Sequence, residues 1–385
     1  MVNFFVLTRH IAAIVIAVTV LTPNIANALE DPAYLEAYKA YTQAMNDGDR
    51  EAAERHGFAA WQAADEALGD NQLTGILAFN YGQLVIFTNS KAALPALRRA
   101  NKLHQKGIAS LPEADLKLFL AYAEFAVASK RKYRADDLRE ALIAIEDNGA
   151  PVNEDIATMW LHLASSDFVS KRYHDASECA SKAERAYEIS APDNYRQRAN
   201  AILINGAVKL DPFPRTVENV QAAHNEFMRA WELFPPQKDL DTFDGVFAQT
   251  IGWNFAADAA LTTLGEDTYP DHKNGDKEGH NTYSKPIFQK RIKTTVECNI
   301  AWDRVPLKYP YRAQGSDYTG AVIIGYNIGG DELVHDARVL SDGPLKVFSD
   351  AALKSMASWR LVNPIPDDPA CRENRITYFS FMRSE

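Results

Sequence analysis

The candidates for reactive chemistry are the three cysteines, Cys179, Cys298 and Cys371, and, of the nine histidines, the two that share one polar stretch, His272 and His280. Neither a CxxC pair nor a paired-His spacing accompanies Cys298 or Cys371, so no metal site is expected there. His272 and His280 lie among Asp271, Lys273, Asp276 and Glu278. Such mixed-charge stretches carry potential ligands by chance, and this one reads as a linker. Signatures of other chemistries are missing: no Gly-x-Ser-x-Gly elbow, no His-Glu-x-x-His, no phosphate loop and no Gly-x-Gly-x-x-Gly after a strand. This pattern predicts no catalytic residue, no cofactor and no metal, so the chain is not read as an enzyme.

The compartment decides what the cysteines do. Arg9 and His10 give a short polar start, Ile11 to Leu21 is an unbroken apolar and Thr run, and Ala26-Asn27-Ala28 places small residues where a signal peptidase reads them. Residues 1–28 are therefore expected to be a signal peptide, with the mature chain starting at Leu29 and located in the periplasm. The alternative is an uncleaved anchor on the periplasmic side of the inner membrane, which would need Phe4 to Leu7 recruited across Arg9, because a span takes about 20 apolar residues. In an oxidising compartment disulfides persist. Cys179 lies in a helical run and reads as a buried small hydrophobe. Cys298 and Cys371 flank the β-rich end, and the preferred expectation is a Cys298–Cys371 disulfide, two free thiols being the alternative.

Length and charge narrow the class further. A chain of 385 residues exceeds one ordinary core and suggests two or three domains. A formal net charge of −10 argues against nucleic acid or an anionic membrane face as partner, since like charges repel.

The elements that would carry a binding surface come in two styles. Residues 29–265 are Ala-rich and helical, with a pattern recurring every 34 to 42 residues or so, as in a two-helix solenoid. Trp160, Leu163 and Ala164 followed by Ala176, Ala180 and Ala183 match the tetratricopeptide pattern, in which a large residue on one helix fills the space over small residues on the next. Gly206 with Ala223, Phe227, Ala230 and Pro235 makes the next unit, with residues 211–215 inserted between its helices. Earlier, more degenerate units are marked by Leu77, Tyr81, Ala93, Leu97 and Ala100, by Phe119, Tyr122, Ala123, Tyr133 and Ala135, and by Tyr34, Tyr38, Tyr41, Gly48-Asp49 and Ala52. About five helix pairs are expected, closed by a capping helix around Thr242 to Leu264 that carries Phe247, Ile251 and Phe255. These aromatic and alanine positions are read as packing.

Residues 266–286 form the linker, and residues 287–385 change to β-like alternation. Val322, Ile324, Tyr326 and Ile328, a turn at Gly329-Gly330-Asp331 and a run from Val334 to Leu340 predict a hairpin. Ser349 is the expected N-cap of a helix from Asp350 to Arg360 with a Leu353, Met356, Trp359 stripe, and Ile376 to Met382 is the expected last strand.

In order and at compatible spacing, Pro306, Tyr309-Pro310, Ala313, Gly315, Gly320, Val322, Tyr326, Val339, Ser341, Pro344, Phe348, Ala351-Ala352-Leu353, Trp359 and Pro364 resemble the C-terminal domain of TonB energy transducers. The resemblance covers about the last 90 residues. It implies a multidomain chain: an all-α tetratricopeptide-like solenoid, then a small α+β TonB-like domain. In that family an exposed edge strand captures an extended peptide, the TonB box of an outer-membrane transporter, by β-augmentation. Carried over, Ile376, Tyr378 and Ser380 would supply the edge, with Tyr309, Pro310 and Arg312 nearby. The implied function is a periplasmic adaptor that binds an envelope protein, a TonB-dependent transporter being the family's partner. The alternative is a membrane-anchored transducer, the one case with membrane contact. Family transducers carry an uncleaved N-terminal helix and a long Pro-rich segment, whereas here the 18 prolines are dispersed and repeats fill the space.

Overall fold

The structure is a computed structural model. It describes residues 32–128, 131, 134–210, 215–234, 245–264, 298, 300–305, 307–308, 310, 320–343, 348–373 and 375–381. The expected signal peptide, the linker, the 211–214 part of the insertion, Tyr133, Pro235, Pro306, Tyr309 and Arg312 lie outside the described residues. Two compact units divide between Met159 and Trp160.

The first unit holds α1 (Ala33–Asp47), α2 (Arg50–Leu68), α3 (Gln72–Val85), α4 (Ser90–Gln105), α5 (Glu113–Val127), α6 (Ala135–Asp147) and the start of α7 (Glu154–Val169). The first helices of successive pairs begin 39 to 41 residues apart, counted from Ala33, Gln72, Glu113, Glu154 and Tyr195. Local chemistry sets the turns. Gly48 closes α1 at φ 72°, a left-handed conformation that costs a residue without Cβ nothing. Asp49 then caps α2 by accepting from the Ala52 amide at 3.0 Å. Asn71 and Asn89 cap α3 and α4 in the same way. Leu77, Tyr81, Ala93, Leu97 and Ala100 are all buried, and a Cβ on Gly82 would sit 2.6 Å from Leu97. The helices also clasp through charge: Arg99 donates to Asp65 and to Asp70, which Lys106 also holds at 2.6 Å. Those two cations hold the exposed Asp70 carboxyl down at about 2.

In the second unit α7 continues and is followed by α8 (Tyr173–Ser190), α9 (Tyr195–Leu210), α10 (Val217–Glu232) and α11 (Gly245–Thr263). Trp160, Leu163, Ala164, Ala176, Ala180 and Ala183 are buried as the repeat pattern demands, and Lys182 lies over the Trp160 ring at 4.6 Å. Cys179 is buried beside the fully buried Asp167, which accepts from Arg172 at 2.9 Å and so fastens the α7–α8 turn. The tightest approach is Gly206 on α9 against Phe227 on α10: a Cβ there would lie 2.3 Å from the ring. Among the described residues, five helix pairs and a last helix match the expected arrangement, and the chain is helical and then α+β.

The α+β part contains β1 (Trp302–Asp303), β2 (Gly320–Ile328), β3 (Val334–Gly343), α12 (Ser349–Met356), β4 (Arg360–Leu361), α13 (Pro369–Arg372) and β5 (Arg375–Phe381). A three-stranded antiparallel sheet runs in the order β3-β2-β5, and β1 pairs with β4. The core on one sheet face joins Val322, Ile324, Tyr326, Phe379 and Phe381 to Phe348, Met356 and Trp359. Two sequence expectations need correction. The helix starts at Ser349 and ends at Met356, short of Arg360, because residues 360–361 pair with β1. Ser349 is not the N-cap; its amide donates to Asp342 on β3 at 2.8 Å, so a carboxylate from the sheet takes the capping role.

Candidate functional site

The residues expected to form a peptide-binding edge divide between described and undescribed positions. Tyr309 and Arg312 lie outside the description, and Pro310 is partly buried and belongs to no strand. Ile376, Tyr378 and Ser380 are all on β5, at alternate positions that share one sheet face.

Strand β5 makes a regular edge. It pairs with β2 without a register break from Gly320↔Phe381 to Tyr326↔Arg375. Among the described residues β2 is its only strand partner. Its sequence, Arg-Ile-Thr-Tyr-Phe-Ser-Phe, contains no proline and one charge. Strand β3, the opposite edge, is built differently. Its register with β2 shifts at Ile323/Ile324 and again at Gly325/Asn327, and Asp336 stands at φ 51°. His335, Asp336 and Arg338 are exposed there. Bulges and charged side chains are what native sheets use to blunt an edge against further pairing; among the described residues β5 has no bulge and one charge, Arg375.

The side chains of Ile376 and Tyr378 are not spread out for a ligand. They pack, together with Ile323 and Leu340, against a core built by α9, α10 and α11 that includes Phe227, Ile251, Trp253, Ala257 and Leu261. Tyr378 lies directly across from Ile323, and Ile376 from Gly325, where Leu340 fills the space a side chain would take. Helix α11 touches all three strands. Its composition allows this: Asp258 is its one charged residue, and its polar Thr250 and Asn254 are buried. The terminal helix of a repeat array ordinarily turns a polar face outward. The scarcity of charge along this helix is the signal that the cap is itself covered; periodicity alone gives no hint of what covers it.

The opposite face is held by aromatic contacts and the cysteines. Arg304 lies over the Trp359 ring at 4.4 Å, and burial pulls its guanidinium below the usual range. Burial raises the Tyr326 phenol, an effect that Arg375 and Trp302 oppose. Cys298 and Cys371 stand with sulfurs 1.98 Å apart and Cα atoms 5.6 Å apart, the preferred sequence pairing. The bond ties the segment before β1 to α13, which immediately precedes β5. Cys371 is fully buried.

Among the described residues, no group of three or more His, Cys, Asp or Glu side chains is placed to hold a metal ion. Among the same residues, no helix is long and apolar enough to cross a membrane. No protein-family model matches the chain, and no curated protein matches it.

Proposed function

We propose that this chain is an exported protein-binding protein whose C-terminal domain, TonB-like in its residues, captures an extended segment of an envelope protein by adding it as a strand beside β5. The observation that carries the reading is the contrast between the two sheet edges: β3 is bulged and charged, while β5 is in unbroken register over seven pairs. An edge in regular register offers a row of backbone donors and acceptors, and in this mode the backbone supplies the affinity. A TonB-dependent outer-membrane transporter is the partner that the family resemblance suggests. The helical pairs, tetratricopeptide-like in the close approach of Gly206 to Phe227 and in the burial of Trp160 and Ala180, supply a second binding surface, which makes the protein an adaptor. The segment 1–28 directs export to the periplasm.

The test must address the backbone. A Tyr378→Pro change removes a backbone amide of β5, but it also removes a ring that packs on the helices, so loss of binding there is ambiguous. N-methylation of the peptide separates the two effects. In a strand pair only every second peptide amide points at the edge. A synthetic TonB-box peptide methylated at successive positions is therefore expected to lose affinity with a period of two, by about tenfold or more at each sensitive position. Uniform sensitivity, or none, would rule out strand addition.

A further inference from the structure

The short pair β1–β4 leaves one corner of the C-terminal domain with both apolar and cationic side chains in solvent. Among the described residues of that domain, Val305 and Val362 are the large apolar side chains left exposed, at 52% and 58%. Both belong to this corner: the Val362 amide donates to the Ala301 carbonyl at 2.9 Å, and Val305 follows β1 by two residues. We infer that the corner is a protein-docking surface, and that it takes a segment in which a carboxylate side chain stands next to an apolar one. The inference does not depend on strand addition at β5.

Sheet alternation builds the outer face. Asp303 stands across from Arg360, and Trp302 across from Leu361. Trp302 and Leu361 pack into the domain core, so Asp303, Arg360 and Val362 share the opposite, exposed face. Arg304, the next residue, is exposed and lies over the Trp359 ring at 4.4 Å. That ring is fixed in place. It is buried, packs on Trp302 and Phe379, and donates its indole N–H to Ser355, whose hydroxyl donates to the Val305 carbonyl. A guanidinium held over such a ring is preorganised, and its planar fork of N–H donors matches a carboxylate. Among the described residues no carboxylate pairs with Arg304 or Arg360, not even the directly opposed Asp303. Desolvation disfavours the charged form of Arg304, and a bound carboxylate offsets that cost. The net charge of −10 repels polyanions such as nucleic acid or an anionic lipid surface, which leaves an isolated carboxylate as the fitting anion. An apolar neighbour of that carboxylate then covers Val305 and Val362.

The probe is a blocked decapeptide of Gly and Ser with Leu-Glu at its centre, titrated into the full chain; companion peptides carry Leu-Gln or Ser-Glu instead. Binding is read from the NMR signals of the Val362 methyls and the Arg304 guanidinium, assigned by single substitution. The Leu-Glu peptide is expected to shift both sets, and each companion is expected to bind about tenfold more weakly. Arg304→Gln is expected to weaken the Leu-Glu peptide by a similar factor and the Leu-Gln peptide hardly at all, a coupling that a merely structural role would not produce. The peptide comparison uses the unaltered protein, so misfolding of a variant cannot account for it. Equal binding of Leu-Glu and Leu-Gln, or additive losses in that cycle, would overturn the carboxylate contact. Equal binding of Leu-Glu and Ser-Glu would overturn the apolar one. Inorganic phosphate held at Arg304 more tightly than the peptide, or Arg304-dependent binding to phosphatidylglycerol vesicles, would overturn a protein partner in favour of a phosphate ligand or a lipid surface.

Discussion

Replacing Cys298 or Cys371 with serine is expected to lower the stability of the C-terminal domain by about 4 kcal/mol, from the chain entropy of an unfolded state no longer closed into a loop. The two residues are 73 positions apart, and large loops constrain the unfolded chain most. A second cost comes from the serine hydroxyl at Cys371, which would be fully buried. The expected native product is a mature chain from Leu29 whose intact mass is two hydrogens short of the reduced form. After denaturation without reductant, thiol labelling should find Cys179 alone. Labelling at Cys298 would refute the pairing, and a mass retaining Met1 would point to the anchored transducer instead. Chemical denaturation of the serine variants, followed by tryptophan emission, measures the stability cost.

The second large effect is expected at Gly206. In an exposed helix, Gly→Ala gains about 1 kcal/mol. Here the sign reverses, because the new Cβ would meet three Phe227 ring atoms at 2.3, 2.7 and 2.9 Å. The ring has nowhere to go: Phe227 is fully buried and stacks on Trp253 with centroids 5.5 Å apart. Overpacking of this kind costs about 1–3 kcal/mol, so Gly206→Ala is expected to lower Tm by several degrees. Phe227→Leu in the Gly206→Ala background should recover part of the loss, since a smaller side chain clears the space. A Gly206→Ala variant with raised Tm would show that the helices do not approach so closely. The core beneath Gly206 and Phe227 also receives Ile376 and Tyr378, so the same variant should loosen β5 and weaken peptide capture.

Much of this arrangement is legible in the sequence because it is local or periodic. Helix pairs announce themselves through small residues opposite large ones, as at Gly206 and Phe227, and through turn signals such as Gly48-Asp49. The hairpin around Gly329 follows from alternation and from a turn whose first glycine has no room for a Cβ beside Asp331 and His335. The cysteine pairing followed from compartment and position. The proposed edge was legible in its alternation but not in its packing. Ile376, Tyr378 and Ser380 do share one face of an edge strand, yet that face packs on helices more than a hundred residues earlier in the chain. No local pattern reports such a contact. The capping of α12 was missed for the same reason: Asp342 comes from a strand, while Ser349 stands where a local rule would put the cap. The difference between the two sheet edges was likewise invisible, because bulges depend on how β3 meets β2.

Amide hydrogen exchange across β5, with and without a bound TonB-box peptide, tests the central claim most directly. Strand addition predicts that residues 375–381 gain protection at alternate amides, those facing away from β2, while the bulged β3 edge stays unchanged. Saturating peptide with no change in β5 exchange, or with protection appearing on β3 instead, would contradict the account.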